Sequence, residues 1–363
     1  MVLSSVEQPS SVVIALSGGV DSSFSAFLLK STGWQVYGLH FVLPAPEEII
    51  YARKGAVKKF SAHLNIPLEF VDLLEAFNTQ IIEPFCMSYV QGLTPNPCVI
   101  CNPTIKFERL LWFAKEHGIH YLATGHYARL IRRQASGVTG LYRGKDITKD
   151  QSYFLHRLNQ TYLSRAVFPL ADMNKAEVSI RARDIGLPVE AIPESQDICF
   201  LPTGNYRTLV EEKLGPDIKR PGDIINAMGK VLGRHTGIYG YTIGQRHGLN
   251  ISSTRPYYVK ELRRETNQVV VGRKEDISSK VVFAHNFNWV EGMPAQREFP
   301  VQAQVRYRHR AAPGVLTVLS PDRVMVTFDT PQLAVTAGQS LCCYDGERVI
   351  GGGIIEREVN NSF

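Results

Sequence analysis

One segment, VVIALSGGVDSS from Val12 to Ser23, constrains the fold of this chain more than any other. A short apolar run, a glycine-rich turn and a helix start follow one another in that order. A continuous apolar run of this length suits a strand buried on both faces, as in a parallel sheet. Gly18 and Gly19 permit a tight turn and bring backbone N–H groups against an anion, and the positive end of the following helix adds to that field. Ser17, Ser22 and Ser23 can add hydroxyl donors. Asp21 would repel phosphate unless a cation lies between, which makes it a candidate Mg²⁺ contact. The segment has neither the Gly-Lys-Ser/Thr of a Walker A loop nor Gly-x-Gly-x-x-Gly, and no lysine reaches for a γ-phosphate. Ser-Gly-Gly is also ordinary turn chemistry. Its position between strand and helix is what points to nucleotide phosphate.

With 363 residues the chain exceeds one ordinary core, so two or three domains are expected. From residue 12 to about 190 strand and helix patterns alternate: VVIAL, WQVYGLHFV, LEFVDL and YLATG read as strands, YARKGAVKKFSAHLN and KFERLLWFAKEHG as helices. Phe107, Leu110, Leu111 and Ala114 fall on one face of the second helix, which Gly118 stops. Such alternation predicts an α/β domain with a parallel sheet over residues 1–203 and ligands at the carboxyl ends of its strands. On that edge His40, Phe41, Gly125 and His126 are candidates for nucleotide or substrate contact. Residues 204–276 are glycine-rich with short alternating runs, and predict a small mixed or β domain. Residues 277–363 are a series of short strands (VQAQVRYR, GVLTVL, RVMVTFD, SLCCY, VIGGGIIE) with turn signals between them, and predict a β-barrel.

The cysteines add chemistry. Six in 363 residues are too few for a secreted disulfide scaffold. Cys98 and Cys101 form a Cys-x-x-Cys pair that suits a metal site, a redox pair or a sulfur relay. Cys342 and Cys343 are adjacent in a strand pattern and supply no second such pair; alternation puts one inside the barrel and one outside. Cys86 lies in a helical stretch and is expected to be buried. Cys199 lies in a polar loop past the last α/β helix. Cys98 and Cys101 read as loop residues just before a helix, where the helix N-terminus and Lys106 would depress a thiol pKa.

The start, MVLSSVEQPS, lacks a signal-peptide pattern, and no apolar run reaches membrane-spanning length. A cytoplasmic protein without membrane partner, and a monomer, is expected. A net charge of +6 suits a polyanionic partner. Arg306, Arg308 and Arg310 in VRYRHR share one face of a strand pattern, with Tyr307 and His309 on the other: a phosphate clamp beside a stacking surface.

Taken in order, ALSGGVDSS, TPNPCVICNPTIKF, YLATGHYARL, KDQSYFL, ESQDICF, YTIGQRHGL and GGGIIE resemble the bacterial tRNA-specific 2-thiouridylases, within the N-type ATP pyrophosphatases. The resemblance covers nearly the whole chain. It implies an adenine nucleotide alpha hydrolase-like (PP-loop) domain that adenylates the C2 oxygen of the wobble uridine of tRNA. ATP would meet Ala15, Leu16, Ser17, Gly18, Gly19, Val20, Asp21, Ser22, Phe41 and Gly125, with Mg²⁺ at Asp21. Cys199 would carry a persulfide received from a sulfur-relay donor protein. Cys101 would be the nucleophile that releases sulfur, and the two would end as a disulfide that is later reduced. His126, Lys149, Asp150, Gln151, Arg306, Tyr307 and Gln339 would contact tRNA, with the barrel as the tRNA-binding domain.

Two departures from the family pattern stand out. Many members carry aspartate at the place of Cys98, and a methionine at the place of Phe41. Cys98, Cys101 and Cys199 together would also suit a [4Fe–4S] cluster with one open iron. A small-molecule adenylating synthetase with the same loop is a further alternative, and a non-catalytic tRNA binder another. The first leaves the cysteines and basic barrel unused. The second has no use for a pyrophosphate cradle.

Overall fold

The computed structural model describes residues 10–187, 198–201 and 204–357. Its first layer is a five-stranded sheet in the order β3-β2-β1-β4-β7, all parallel. The strands are β1 (Ser11–Ala15), β2 (Gln35–Val42), β3 (Leu68–Asp72), β4 (Tyr121–Ala123) and β7 (Ala166–Val167). The apolar run of β1 has the cause anticipated from sequence. Val13 faces a core with Phe107, Leu110 and Leu122, while Val12 and Ile14 face Phe24, Leu29, Val57 and Phe60 on the other side. Helices therefore cover both faces. The chain runs from β1 outward through β2 to β3 and then returns to β4 on the other flank of β1. The sheet thus has its topological switch point at the carboxyl end of β1, where open α/β sheets bind ligands.

The helix expected around residues 106–117 is present as Glu108–Glu116, with Phe107, Leu110 and Ala114 fully buried and Gly118 at φ +65° closing it. It starts earlier than the sequence implied. Pro97 opens a helical turn, Pro97–Cys101, which continues through a π-helical segment, Asn102–Phe107, into Glu108. Cys98 and Cys101 are accordingly helical, not loop residues. Proline suits the first helical position, and Pro103, with no N–H to donate, falls inside the widened π turn.

Two further sheets follow. The middle one has the order β10-β11-β8-β9: β8 (Gly222–Asn226), β9 (Val231–His235), β10 (Tyr258–Arg263) and β11 (Gln268–Gly272), around Ile224, Val259, Val269 and Val271. At the C-terminal end β12 (Ser278–Trp289), β15 (Arg323–Leu333), β14 (Ala312–Ser320), β13 (Glu298–Gln304), β16 (Ser340–Asp345) and β17 (Arg348–Ile355) pair in that order, and β17 pairs back onto β12. That closes a six-stranded barrel filled by Val282, Val301, Leu316, Val326, Phe328 and Leu341.

The sequence reading missed one connection. The hairpin β5 (Ala128–Arg132) and β6 (Thr139–Arg143), which follows β4, joins the barrel sheet through β17 rather than the parallel sheet. Its buried Ala128 and Leu141 share one core with Val13, Tyr344 and Val349. Cys342 and Cys343 divide as the alternation predicts, and the shared core accounts for the burial of the outer one. Cys343 lies inside the barrel as expected, but Cys342 on the outer face enters that shared core, so both are fully buried. Cys86 is fully buried as well.

Candidate active site

The loop after β1 is braced at both ends. Leu16 donates its N–H to the Leu39 carbonyl at 2.9 Å, and its own carbonyl lies 2.7 Å from His40 Nδ1. His40, buried and a candidate for base contact from sequence, thus also holds the loop entrance. Across the turn Ser22 Oγ accepts from Ser17 N–H at 3.2 Å and donates to the Gly19 carbonyl at 3.1 Å. Gly18 takes φ +87°, a region that favours glycine, and Gly19 caps the helix Val20–Ser31 without a side chain. Gly125, expected from sequence to let backbone approach a ligand, lies against the loop itself. A Cβ there would sit 2.9 Å from the Asp21 carbonyl carbon and the Ser22 nitrogen, so the chain after β4 packs directly on the loop.

Asp21 does not stand alone. Lys175 Nζ lies 2.7 Å from each carboxylate oxygen, and the Tyr127 hydroxyl donates to Oδ1 at 2.7 Å. The loop itself carries no Walker-type lysine, but a lysine from elsewhere in the chain reaches its Asp21. Lys175 opens the helix Lys175–Asp184, 154 residues further along the chain, and arrives by tertiary folding alone. A carboxylate paired with an ammonium at a helix N-terminus presents little net negative charge to an incoming phosphate.

From this loop extends a cleft of about 1860 Å³. Its wall includes Ala15, Leu16, Ser17, Gly19, Val20, Asp21, Ser22, Phe41 and Gly125, leaving Gly18 as the one nucleotide candidate off the lining. The same wall carries Cys98, Cys101 and Cys199, together with His126, Lys149, Asp150, Gln151, Arg306, Tyr307 and Gln339. Residues separated by over three hundred positions therefore meet in one space.

The thiols differ from expectation. Cys101 is 5% exposed and belongs to an apolar core with Phe85, Ile105 and Phe200, against which the half-buried Cys199 also packs. Burial pushes the Cys98 thiol up to about 11 and that of Cys101 to about 12. The Lys106 ammonium pulls both down, but by less. The predicted depression is overturned because desolvation outweighs one cation. Cys199 is also raised by burial and opposed by Lys106, Arg53 and backbone N–H groups. Among the described residues no group of three His, Cys, Asp or Glu side chains is arranged to hold a metal ion.

Several other polar groups of the lining are already employed. Asp150 is buried, accepting from Arg143 Nη1, the Gly144 and Ser152 N–H groups and the Ser152 hydroxyl. It organises the Lys149–Gln151 corner rather than presenting a free carboxylate. Gln151 Oε1 accepts from Tyr127 N–H at 3.0 Å, and Gln339 Nε2 donates to the Thr94 carbonyl at 2.9 Å, bracing the segment before Asn96. His126 Nδ1 lies 2.7 Å from Thr124 Oγ1, and burial, helped by Lys106, holds the ring down to about 3, so it is neutral.

The basic run also takes another form. β13 ends at Gln304, and Arg306 to His309 form a turn closed by His309 N–H on the Arg306 carbonyl. Gln304 Nε2, itself buried, donates to the Arg306 and Tyr307 carbonyls and pins the turn. Arg306, Arg308 and Arg310 are exposed, and Tyr307 and His309 half-buried. The Tyr307 ring rests 4.3 Å from Phe154, centroid to centroid. Sequence reasoning missed Lys175, Tyr127, Arg53 and Gln304, all on the cleft wall. None carries a local motif.

A parallel sheet with a Ser-Gly-Gly-x-Asp-Ser loop at its switch point, covered by helices, is the architecture of the PP-loop ATP pyrophosphatases, and this chain is of that class. Family models match it in three consecutive parts: a tRNA methyl transferase HUP domain over residues 10–203, a tRNA methyl transferase PRC-barrel domain over 208–273 and an aminomethyltransferase beta-barrel domain over 279–355. It is 41% identical over 361 residues to the tRNA-specific 2-thiouridylase MnmA of Carboxydothermus hydrogenoformans, covering 96% of this chain and 98% of the relative. To the protein of the same name from Syntrophotalea carbinolica it is 43% identical over 355 residues, covering 96% and 99%. To that of Acidithiobacillus ferrooxidans it is 42% identical over 346 residues, covering 95% and 97%. The chain belongs to the family of tRNA-specific 2-thiouridylases. Among its described residues no helix is long and apolar enough to cross a membrane.

Proposed function

We propose that this chain replaces the C2 oxygen of the wobble uridine of tRNA by sulfur, consuming ATP. The observation that carries the reading is the single cleft in which the pyrophosphate loop, three thiols and an arginine-rich turn face one another. Methyl transfer, named in two of the family descriptions, calls for neither the loop nor the thiols.

In this reading MgATP lies with its phosphates on the turn from Ser17 to Ser22 and its base toward Phe41. The uridine is turned out of its stack to enter the cleft, as enzymes that act on a base require. Its C2 oxygen attacks the α-phosphorus and pyrophosphate leaves. Loop N–H groups, the helix N-terminus and Lys175 offset the charge on the leaving group. A carbonyl oxygen leaves poorly, whereas the adenylated oxygen departs as AMP. Sulfur arrives as a persulfide on Cys199, supplied by a donor protein. The Cys101 thiolate attacks Cys199 Sγ, the persulfide S–S bond breaks, and the outer sulfur leaves as hydrosulfide, which adds to C2. Expulsion of AMP gives 2-thiouridine, and Cys101 and Cys199 are left as a disulfide. Arg306 and Lys149 hold phosphates, with Tyr307, His126, Gln151 and Gln339 shaping the base pocket, so the barrel acts as the tRNA-binding domain.

The test is pyrophosphate release from ATP with and without tRNA. Release that requires tRNA and accompanies thiouridine supports the reading. Release without tRNA would favour a small-molecule synthetase, and none at all a binding protein.

A further inference from the structure

Three thiols border the cleft, whereas the sulfur transfer described above uses two. Resting on that reading, we propose that Cys98 is the resolving thiol of the cycle, attacking the Cys101 sulfur of the spent Cys101–Cys199 disulfide and returning Cys199 to its free form.

Position supports this first. Cys98 and Cys101 are three residues apart on the helical turn Pro97–Cys101. Helix geometry sets their Cα atoms about 5 Å apart, inside the roughly 4.4–6.8 Å that a disulfide spans. Both lie at the amino end of a helical run, where Cys-x-x-Cys pairs exchange between thiol and disulfide forms.

Access is the second argument. Cys101 is 5% exposed and embedded among Phe85, Ile105 and Phe200, so it offers a reductant from solution little of its sulfur. Cys98 is half-buried and on the cleft wall, and can carry electrons inward. The third argument is electrostatic. Lys106 favours the thiolate at all three cysteines, and each of Cys98 and Cys101 also senses Cys199, which places the three in one field. Cys199 has additional help from Arg53 and from backbone N–H groups. That makes it the better leaving thiolate of the pair, and a thiolate leaves faster the better it is stabilised.

The exchange balances without an oxidant. Cys98 thiolate forms a bond to Cys101 Sγ, the Cys101–Cys199 bond breaks, and Cys199 departs as thiolate, ready to accept the next persulfide sulfur. The Cys98–Cys101 disulfide is then reduced by a small dithiol, which becomes a disulfide as two protons pass to the cysteines.

The experiment uses the full chain, charged anaerobically with sodium polysulfide, mixed with ATP and tRNA without reductant, quenched in acid, alkylated and mapped by peptide mass spectrometry. The expected wild-type product is thiouridine with a Cys98–Cys101 disulfide and an alkylated Cys199. Cys98→Ser should instead accumulate Cys101–Cys199. With dithiothreitol present its repeated turnover should fall several-fold, because an external thiol must then replace a neighbouring thiol already held on the same helical turn. Wild-type protein that forms thiouridine but ends as Cys101–Cys199 overturns the proposal alone. Wild-type protein that forms no thiouridine overturns the underlying reading with it. The wild-type map decides the matter even if the serine variant folds poorly.

Discussion

Lys175 closes on Asp21 with its ammonium 2.7 Å from both carboxylate oxygens, across 154 residues of sequence. The pair sits at the start of the helix that follows the glycine turn, so the lysine brings a fixed positive charge to the place where pyrophosphate would depart. Lys175→Met should slow pyrophosphate release by about 100-fold or more, the scale seen when one preorganised electrostatic group is lost. Stopped-flow detection of pyrophosphate checks this. A rate within a factor of a few of the wild type would remove Lys175 from the adenylation step.

The raised thiols give sulfur transfer a pH dependence. With Cys101 at about 12 and Cys98 at about 11, the protonated form dominates at neutral pH. The thiolate fraction, and with it the transfer rate, should climb about tenfold per pH unit from about pH 7 to 9. Pyrophosphate release uses no thiolate and should not share this slope. Lys106 lowers both thiol values, so Lys106→Met should raise them further and slow transfer at a given pH. Rates of iodoacetamide labelling against pH, read at each cysteine, measure the shift directly. A labelling profile with a midpoint near or below pH 8 would contradict it.

Gly125→Ala would place a Cβ 2.9 Å from the Asp21 and Ser22 backbone, which cannot swing aside as a side chain could. Overpacking of this kind costs about 1–3 kcal/mol, so thermal unfolding should shift down by several degrees. ATP affinity should weaken in parallel because the atoms displaced belong to the loop. Calorimetric titration with ATP reads the second effect. Unchanged affinity at a lowered melting temperature would detach Gly125 from the nucleotide site.

Arg306 is exposed on the turn after β13 and lines the cleft. Arg306→Ala should weaken tRNA binding and reduce the slope of log affinity against log salt by about one. Filter binding over a salt series decides it, and an unaltered slope would place Arg306 away from phosphate.

What the sequence disclosed follows from where the information is stored. The strand, turn and helix from Val12 to Ser31 are adjacent in sequence and carry their own pattern, and they fold as read. The helical face of Phe107, Leu110, Leu111 and Ala114 and the barrel strands were legible for the same reason. Lys175 and Tyr127 were invisible beside Asp21, because a lone lysine and tyrosine become partners of the loop only when β4 and a distant helix close on it. Pairing of the β5–β6 hairpin with β17 likewise depends on an edge offered by a strand two hundred residues away. The thiol environment is not legible locally, because Pro97 starts a helix where the pattern reads as loop, and that helix turns Cys101 into an apolar core. The arginine run has a strand pattern, but Gln304 captures the Arg306 and Tyr307 carbonyls and bends the chain.

Central to the proposed function is that one base is activated by the loop and thiolated by the cysteines in the same cleft. The most direct test follows the label from α-labelled ATP in the Cys199→Ser variant with tRNA. Pyrophosphate should still be released, adenylyl label should appear on the tRNA, and no thiouridine should form. Thiouridine made at the wild-type rate, or loss of pyrophosphate release together with sulfur transfer, would contradict the proposed function.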